Sequence, residues 1–189
     1  MVIQKCTCLI LLLLIVASGA AVSSASMPRK SSEFVITESS GKRILLSSFK
    51  GKVVMIEFMF LKSPKCLKLA TTMNKLGVDL GARGFQPVAV AFPAPGSDAN
   101  GPLVGYLVDY FKLGYPVGYA DKNDVDHYLS RAPSEVLRIP QVVIIDRAGM
   151  IRAQTGGREG TTSLENEDFL RKMLDSLLKE GVSAGSARR

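Results

Sequence analysis

Ser63 and Cys66 stand where an apolar run of this 189-residue chain gives way to a helical pattern. The run, Val53-Val54-Met55-Ile56-Glu57-Phe58-Met59-Phe60, is rich in β-branched and aromatic residues, and a Ser63-Pro64 turn follows it. A thiol at the first turn of a helix faces unpaired backbone N–H groups and the positive end of the helix dipole, both of which stabilise a thiolate. Lys62, Lys65 and Lys68 would act in the same direction. Such a thiolate attacks a peroxide or a disulfide. The competing reading makes Cys66 a small buried hydrophobe. Ser63 then serves as N-cap, its oxygen accepting from the N–H of Lys65 or Cys66, with Pro64 at the first helical position. An unassisted hydroxyl is a poor nucleophile at neutral pH. The one histidine, His127, falls in a short predicted helix over 124–130 and reads as surface, so no Ser-His-Asp set forms.

The elements that must position this turn follow from periodicity. Residues 34–36 and 43–46 read as two short strands joined by a turn at Gly41, and 47–51 as a connector into the central strand. Leu67, Ala70, Met73, Leu76, Gly77 and Leu80 recur at helical spacing, and Gly81 to Gly84 close that helix. Residues 85–92 form a second buried strand, and the Pro-rich and Gly-rich stretch 93–102 is a loop. A helix over 103–113 shows Leu103, Leu107, Tyr110 and Phe111 as its apolar side; a short edge strand follows at 116–120. Strand 142–146 turns through Arg147-Ala148-Gly149 into 150–154, and an amphipathic helix spans 167–178. Residues 27–32 read as a polar, flexible start and 181–189 as a frayed tail. Alternating strands and helices with a closing hairpin predict an α/β fold, its mixed sheet covered on both faces.

Bulk properties narrow the class. The length suits one domain, and 22% charged with 47% hydrophobic residues is ordinary for a globular protein. The net charge of +7 is scattered rather than gathered into a block, which speaks against nucleic-acid binding. Residues 1–25 differ in kind: Lys5 is the only charge, 6–22 is almost wholly apolar, and Ser23-Ser24-Ala25 offers a cleavage site. We read a secretory signal peptide, or a membrane anchor through 6–22 if it is not cleaved. Cleavage removes Cys6 and Cys8 and leaves Cys66 as a single thiol in a disulfide-permissive compartment, whether periplasmic or extracellular. That thiol is buried and inert, reactive, or paired in a disulfide-linked dimer.

In this order and spacing the residues resemble a known family, the exported thioredoxin-like proteins of the TlpA type within the wider redoxin and peroxiredoxin group. Residues 34–36 through Gly41-Lys42, then 46–54, resemble its lead-in hairpin and Gly-Lys-apolar strand. Phe58 to Cys66 resembles its Phe-Trp-Ala-x-Trp-Cys-x-x-Cys segment, and Arg138-Ile139-Pro140-Gln141 followed by 142–149 resembles the cis-proline loop, next strand and Asp-x-x-Gly turn. The resemblance implies a thioredoxin fold over 26–181 with an N-terminal β-hairpin extension and a tail at 182–189. It also implies a site formed by Ser63 and Cys66, with Pro140, Ile139, Arg138 and Lys65 around the substrate, no cofactor and no metal.

The departure from the family pattern is at the first cysteine, where Ser63 stands; only the second, Cys66, remains. Dithiol exchange needs one thiolate to attack and a neighbour to release the mixed disulfide. Peroxiredoxins carry Thr or Ser three residues before their peroxidatic cysteine, as Ser63 is before Cys66, but Met59 occupies their motif's proline position. Two functions follow. One is an exported redoxin with at most single-cysteine chemistry on protein thiols, disulfides or a peroxide. The other is a non-catalytic binding domain using the Pro140 loop and the 93–102 loop. Exposure of the Cys66 sulfur separates them: a sealed sulfur favours the binding domain.

Overall fold

Every residue from Val53 to Met59 is buried, which a strand achieves only when helices or loops cover both of its faces. In the computed structural model, which describes residues 27–132, 137–156 and 161–186, this strand (β4) lies at the centre of an eight-stranded mixed sheet. The strands are β1 (Arg29–Lys30), β2 (Val35–Glu38), β3 (Arg43–Leu45), β4 (Val53–Met59), β5 (Phe85–Ala91), β6 (Val117–Tyr119), β7 (Gln141–Ile145) and β8 (Met150–Gln154). The helices are α1 (Pro64–Leu80), α2 (Gly101–Phe111), α3 (Lys122–Tyr128) and α4 (Glu167–Ser186). The sheet order is β1-β8-β7-β4-β5-β6-β2-β3. Strands β4, β5 and β6 run parallel, and β7 is antiparallel to β4.

Side chains alternate across β4, so its two faces feed two cores. Val53, Met55 and Met59 join Cys66, Leu69, Met73 and Leu76 of α1, Val104 and Leu107 of α2, and Leu170, Leu174 and Leu177 of α4. Val54, Ile56 and Phe58 join Phe34, Ile36, Val125 and Tyr128 on the other face. There Phe34 meets Phe58 edge-on at 5.4 Å between ring centroids and Tyr128 at 5.1 Å. Helix α1 comes down closely on β5, because a Cβ on Gly77 would lie 2.9 Å from Cγ of Pro87. Pro87 pairs with β4, while β6 pairs with β5 only from Ala89 onward, so the missing N–H of Pro87 breaks no bond on that side.

The α/β fold with helices on both faces and the 35–45 hairpin agree with the sequence reading, and four details differ. Strand β6 is not an edge strand: β2 pairs antiparallel with it (Thr37 with Tyr119, Glu38 with Gly118) and carries the hairpin onto the sheet. Such a long-range pairing leaves no local mark. Arg29–Lys30 is paired with Met150 and Ile151 of β8 rather than free. On α2 the buried residues are Gly101, Val104 and Leu107, while Leu103 and Tyr110 are exposed. That helix is apolar nearly all round, so its period does not fix its phase. Helix α4 continues to Ser186, into the segment assigned to the tail. The expected signal segment at 1–25 lies outside the described residues.

Gly118 is where the hairpin seats: a Cβ there would come within 2.5 Å of both Cγ2 of Ile36 and the carbonyl oxygen of Thr37. Gly118→Ala is expected to cost about 1–3 kcal/mol in urea unfolding. An unchanged midpoint would mean that β2 does not rest on β6.

Candidate functional site

The parallel β4–β5 pair ends at Met59 and Ala91, and the chain leaving β4 turns at Phe60 to Ser63 before α1 begins. The Ser63 N–H donates to the carbonyl of Phe60 at 3.1 Å, closing the turn. Ser63 is extended (φ −85°, ψ 118°) and caps α1: its Oγ accepts from the Cys66 N–H at 3.5 Å, and Pro64 opens the helix. A serine at this position therefore satisfies a backbone donor, and its capping accounts for the local geometry.

Cys66 is a free thiol with 0% of its surface exposed, packed in the core beneath α1. Burial pushes the thiol above its usual range; hydrogen bonds with the Ser63 side chain and the Phe60 backbone act the other way, and the charges of Glu57 and Glu165 add to the rise. This corrects the expectation of a lysine-activated thiolate. Lys62, Lys65 and Lys68 are exposed, and solvent screens them, whereas the thiol loses its own hydration.

Sequence reasoning gave Glu57 no role, and the structure sets it beside this thiol. Glu57 alternates with Met55 and Met59 on the α1 face of β4, has 0% exposure, and neither carboxyl oxygen has a hydrogen-bond partner. Burial drives its pKa well above the usual carboxylate range, with the charge of Glu165 adding to the effect. The site thus holds Glu57 as the neutral acid. Tyr115 lies near enough that Glu57 also raises it, though burial is the main cause; its hydroxyl donates to the carbonyl of Ala70 at 3.1 Å. Three titratable groups are held neutral under one helix. The available signal was a lone carboxylate inside an otherwise apolar strand.

Pro140 approaches from the other side. Phe58 pairs with Gln141 in the antiparallel β4–β7 ladder, so continuing that register by one residue places Pro140 alongside Met59, at the mouth of the turn. The Ile139–Pro140 peptide is cis and Pro140 is buried. Ile139 is half-buried and packs against both cores, and the Gln141 side chain donates to the carbonyl of Arg138. Ser63, Cys66, Ile139 and Pro140 are therefore gathered at one end of the sheet. Lys65 and Arg138 are exposed, and neither is among the groups that shift the thiol. His127 is exposed on α3. Among the described residues no group of His, Cys, Asp and Glu side chains could hold a metal ion, and no helix is long and apolar enough to cross a membrane.

A central mixed sheet, a helix starting at the end of its middle strand and a cis-proline loop beside that start make a thioredoxin-like fold. Known proteins support this class. The chain is 25% identical over 145 residues to the thiol-disulfide oxidoreductase ResA of Bacillus thuringiensis subsp. konkukian, a match spanning 77% of each protein. A crystal structure from Chlorobium tepidum, described as a thiol:disulfide interchange protein DsbE, superposes with a TM-score of 0.65 at 22% identity, covering 82% of this chain and 99% of that one. A solution structure from Bacteroides thetaiotaomicron, described as a protein disulfide isomerase, gives a TM-score of 0.65 at 24% identity, covering 86% and 96%. The structural likenesses speak for the fold. No family model matches the chain.

The Glu57 carboxyl gives a pH signature. Its unfolded value is the ordinary 4.5 and its folded value is higher, so between the two the native state binds the extra proton and stability falls as pH rises. Comparing unfolding free energies at acid and neutral pH, the native chain should lose stability relative to Glu57→Gln as the pH is raised. Glu57→Met should be more stable than the native chain by about 1–3 kcal/mol, because an unsatisfied buried polar group is removed. Parallel pH profiles would show that Glu57 is ionised in the folded state.

Proposed function

We propose that the protein is an exported thioredoxin-fold binding module whose clients are extended polypeptides carrying thiols or disulfides, and that Cys66 does not serve it as an exposed nucleophile. The observation that carries this reading is the sealed, protonated Cys66 behind a capping Ser63. The position of attack holds no thiol, and the remaining thiol meets no solvent. A client backbone would lie along the Pro140 loop beside the Ser63 turn, where it needs main-chain hydrogen bonding and no chemistry. Likeness to a thiol-disulfide oxidoreductase supports thiol-bearing clients. Export rests on the charge and hydropathy of residues 1–25, with 26–181 as the exported domain. A peroxide reaction and a disulfide-linked dimer both need a solvent-reachable Cys66 sulfur, and the native geometry withholds it.

A second reading keeps single-cysteine exchange. It rests on Glu57, a buried titratable carboxyl electrostatically coupled to Cys66 that an inert core does not require. In that reading a client displaces the Phe60–Ser63 turn and exposes the sulfur.

Alkylation kinetics separate the two. Native protein is expected to resist iodoacetamide below pH 9 while urea-unfolded protein labels fully, and the native chain should show no insulin-reducing turnover. Ser63→Cys, which completes the dithiol on an intact scaffold, should gain turnover. Prompt labelling of the native chain, or native turnover lost in Cys66→Ser, would establish the single-cysteine reading instead.

A further inference from the structure

Between the Phe60–Lys62 turn, the 93–102 loop and helix α2 lies a cavity of about 380 Å³. Five aromatic side chains line it: Phe60, Phe92, Tyr106, Tyr110 and Phe111. The whole chain holds 8 Phe, 5 Tyr and no Trp, so more than a third of its aromatic residues converge on one concavity. They are also arranged. Phe60 and Phe92 lie 4.8 Å apart between ring centroids in the pocket floor, and Tyr106 and Tyr110 stack at 5.8 Å with an interplanar angle of 25°. The two tyrosines are 69% and 67% exposed, an arrangement the core does not need.

Volume and lining match small-molecule sites, which are mostly apolar and carry few polar groups. The charged residues in the lining are Lys62 and Asp98, and neither has an ion-pair partner among the described residues. Lys65 on the exposed first turn of α1 and Lys68 on the next lie outside the lining, and the N-terminus of α1 faces the same end of the sheet. In the lining Lys62 offsets Asp98, and Lys65, Lys68 and the α1 N-terminus outside it bias the mouth toward a negative guest. We propose that this cavity is a binding site for a small planar aromatic anion, its ring held against the Tyr106–Tyr110 stack and the Phe60–Phe92 floor, its acid group at Lys62. Cys66 does not line it, so the site stands independently of any thiol chemistry.

Fluorescence titration of the full chain with anilinonaphthalenesulfonate, and with the neutral N-phenylnaphthylamine, tests this. The chain lacks tryptophan, so probe emission is read without that background. Saturable one-to-one binding of the anionic probe is expected, weakened about tenfold in Tyr110→Ala. Tyr110 is mostly exposed, so its truncation leaves the core intact. Lys62→Gln should weaken the anionic probe about threefold and leave the neutral one unchanged, while Asp98→Asn should tighten the anionic probe. Binding indifferent to Tyr110→Ala and Tyr106→Ala overturns the site. Equal response of both probes to Lys62→Gln overturns the anionic class of ligand, and so does tighter binding of the neutral probe.

Discussion

Complete enclosure of β4 is the constraint on which the rest of this structure depends. A strand with its seven residues all at or near zero exposure puts every side chain it carries out of reach of water. For Val, Ile, Met and Phe this is the source of stability, each buried side chain contributing about 1.5–3 kcal/mol. For Glu57 it inverts ordinary behaviour, since an ion there has neither solvent nor partner. The same enclosure reaches Cys66, which enters the core from α1 and shares the Glu57 face. Desolvation raises the acid, the thiol and the nearby Tyr115 phenol alike, and a charge on Glu57 would raise the other two further.

The shape of the Ser63 turn is set by backbone requirements. The start of α1 needs an acceptor for a backbone N–H, an extended backbone and a following proline, and Ser63-Pro64 supplies all three. Nothing in that requirement involves sulfur. The cis-proline loop is likewise held by the β4–β7 ladder and the Gln141 side chain, not by the residue at 63. The shape of the loop is thus independent of the residue at 63.

Legibility in the sequence followed where the physics is local. The Ser63 cap, α1, the 141–154 hairpin and the two central strands are set by neighbours in the chain, and their types and order were readable from residues alone. The burial of Cys66 was legible in principle: Cys66, Ala70, Met73 and Leu80 fall on one stripe of α1 with Gly77, whereas the sequence reading began the stripe at the half-buried Leu67. Glu57 was visible but mute, because a strand buried on both faces shows no alternation to say which side a residue takes. The phase of α2 was hidden by its apolar surround, and the seating of β2 on β6 by about eighty residues of intervening chain. The sequence left Cys66 open between a lysine-activated thiolate and a buried hydrophobe, because nearby lysines are evident in a sequence and lost hydration is not.

The ends of the sheet carry a consequence for crowded solutions. Its outer strands are two and three residues long, Arg29–Lys30 on one side and Arg43–Leu45 on the other, and each brings cationic side chains to the rim. A strand from another copy laid along either rim would find a ladder too short to hold it and a like charge facing its own. The sheet therefore terminates itself, and lateral fusion of copies into fibres meets a barrier built from short rims and three cationic side chains, Arg29, Lys30 and Arg43.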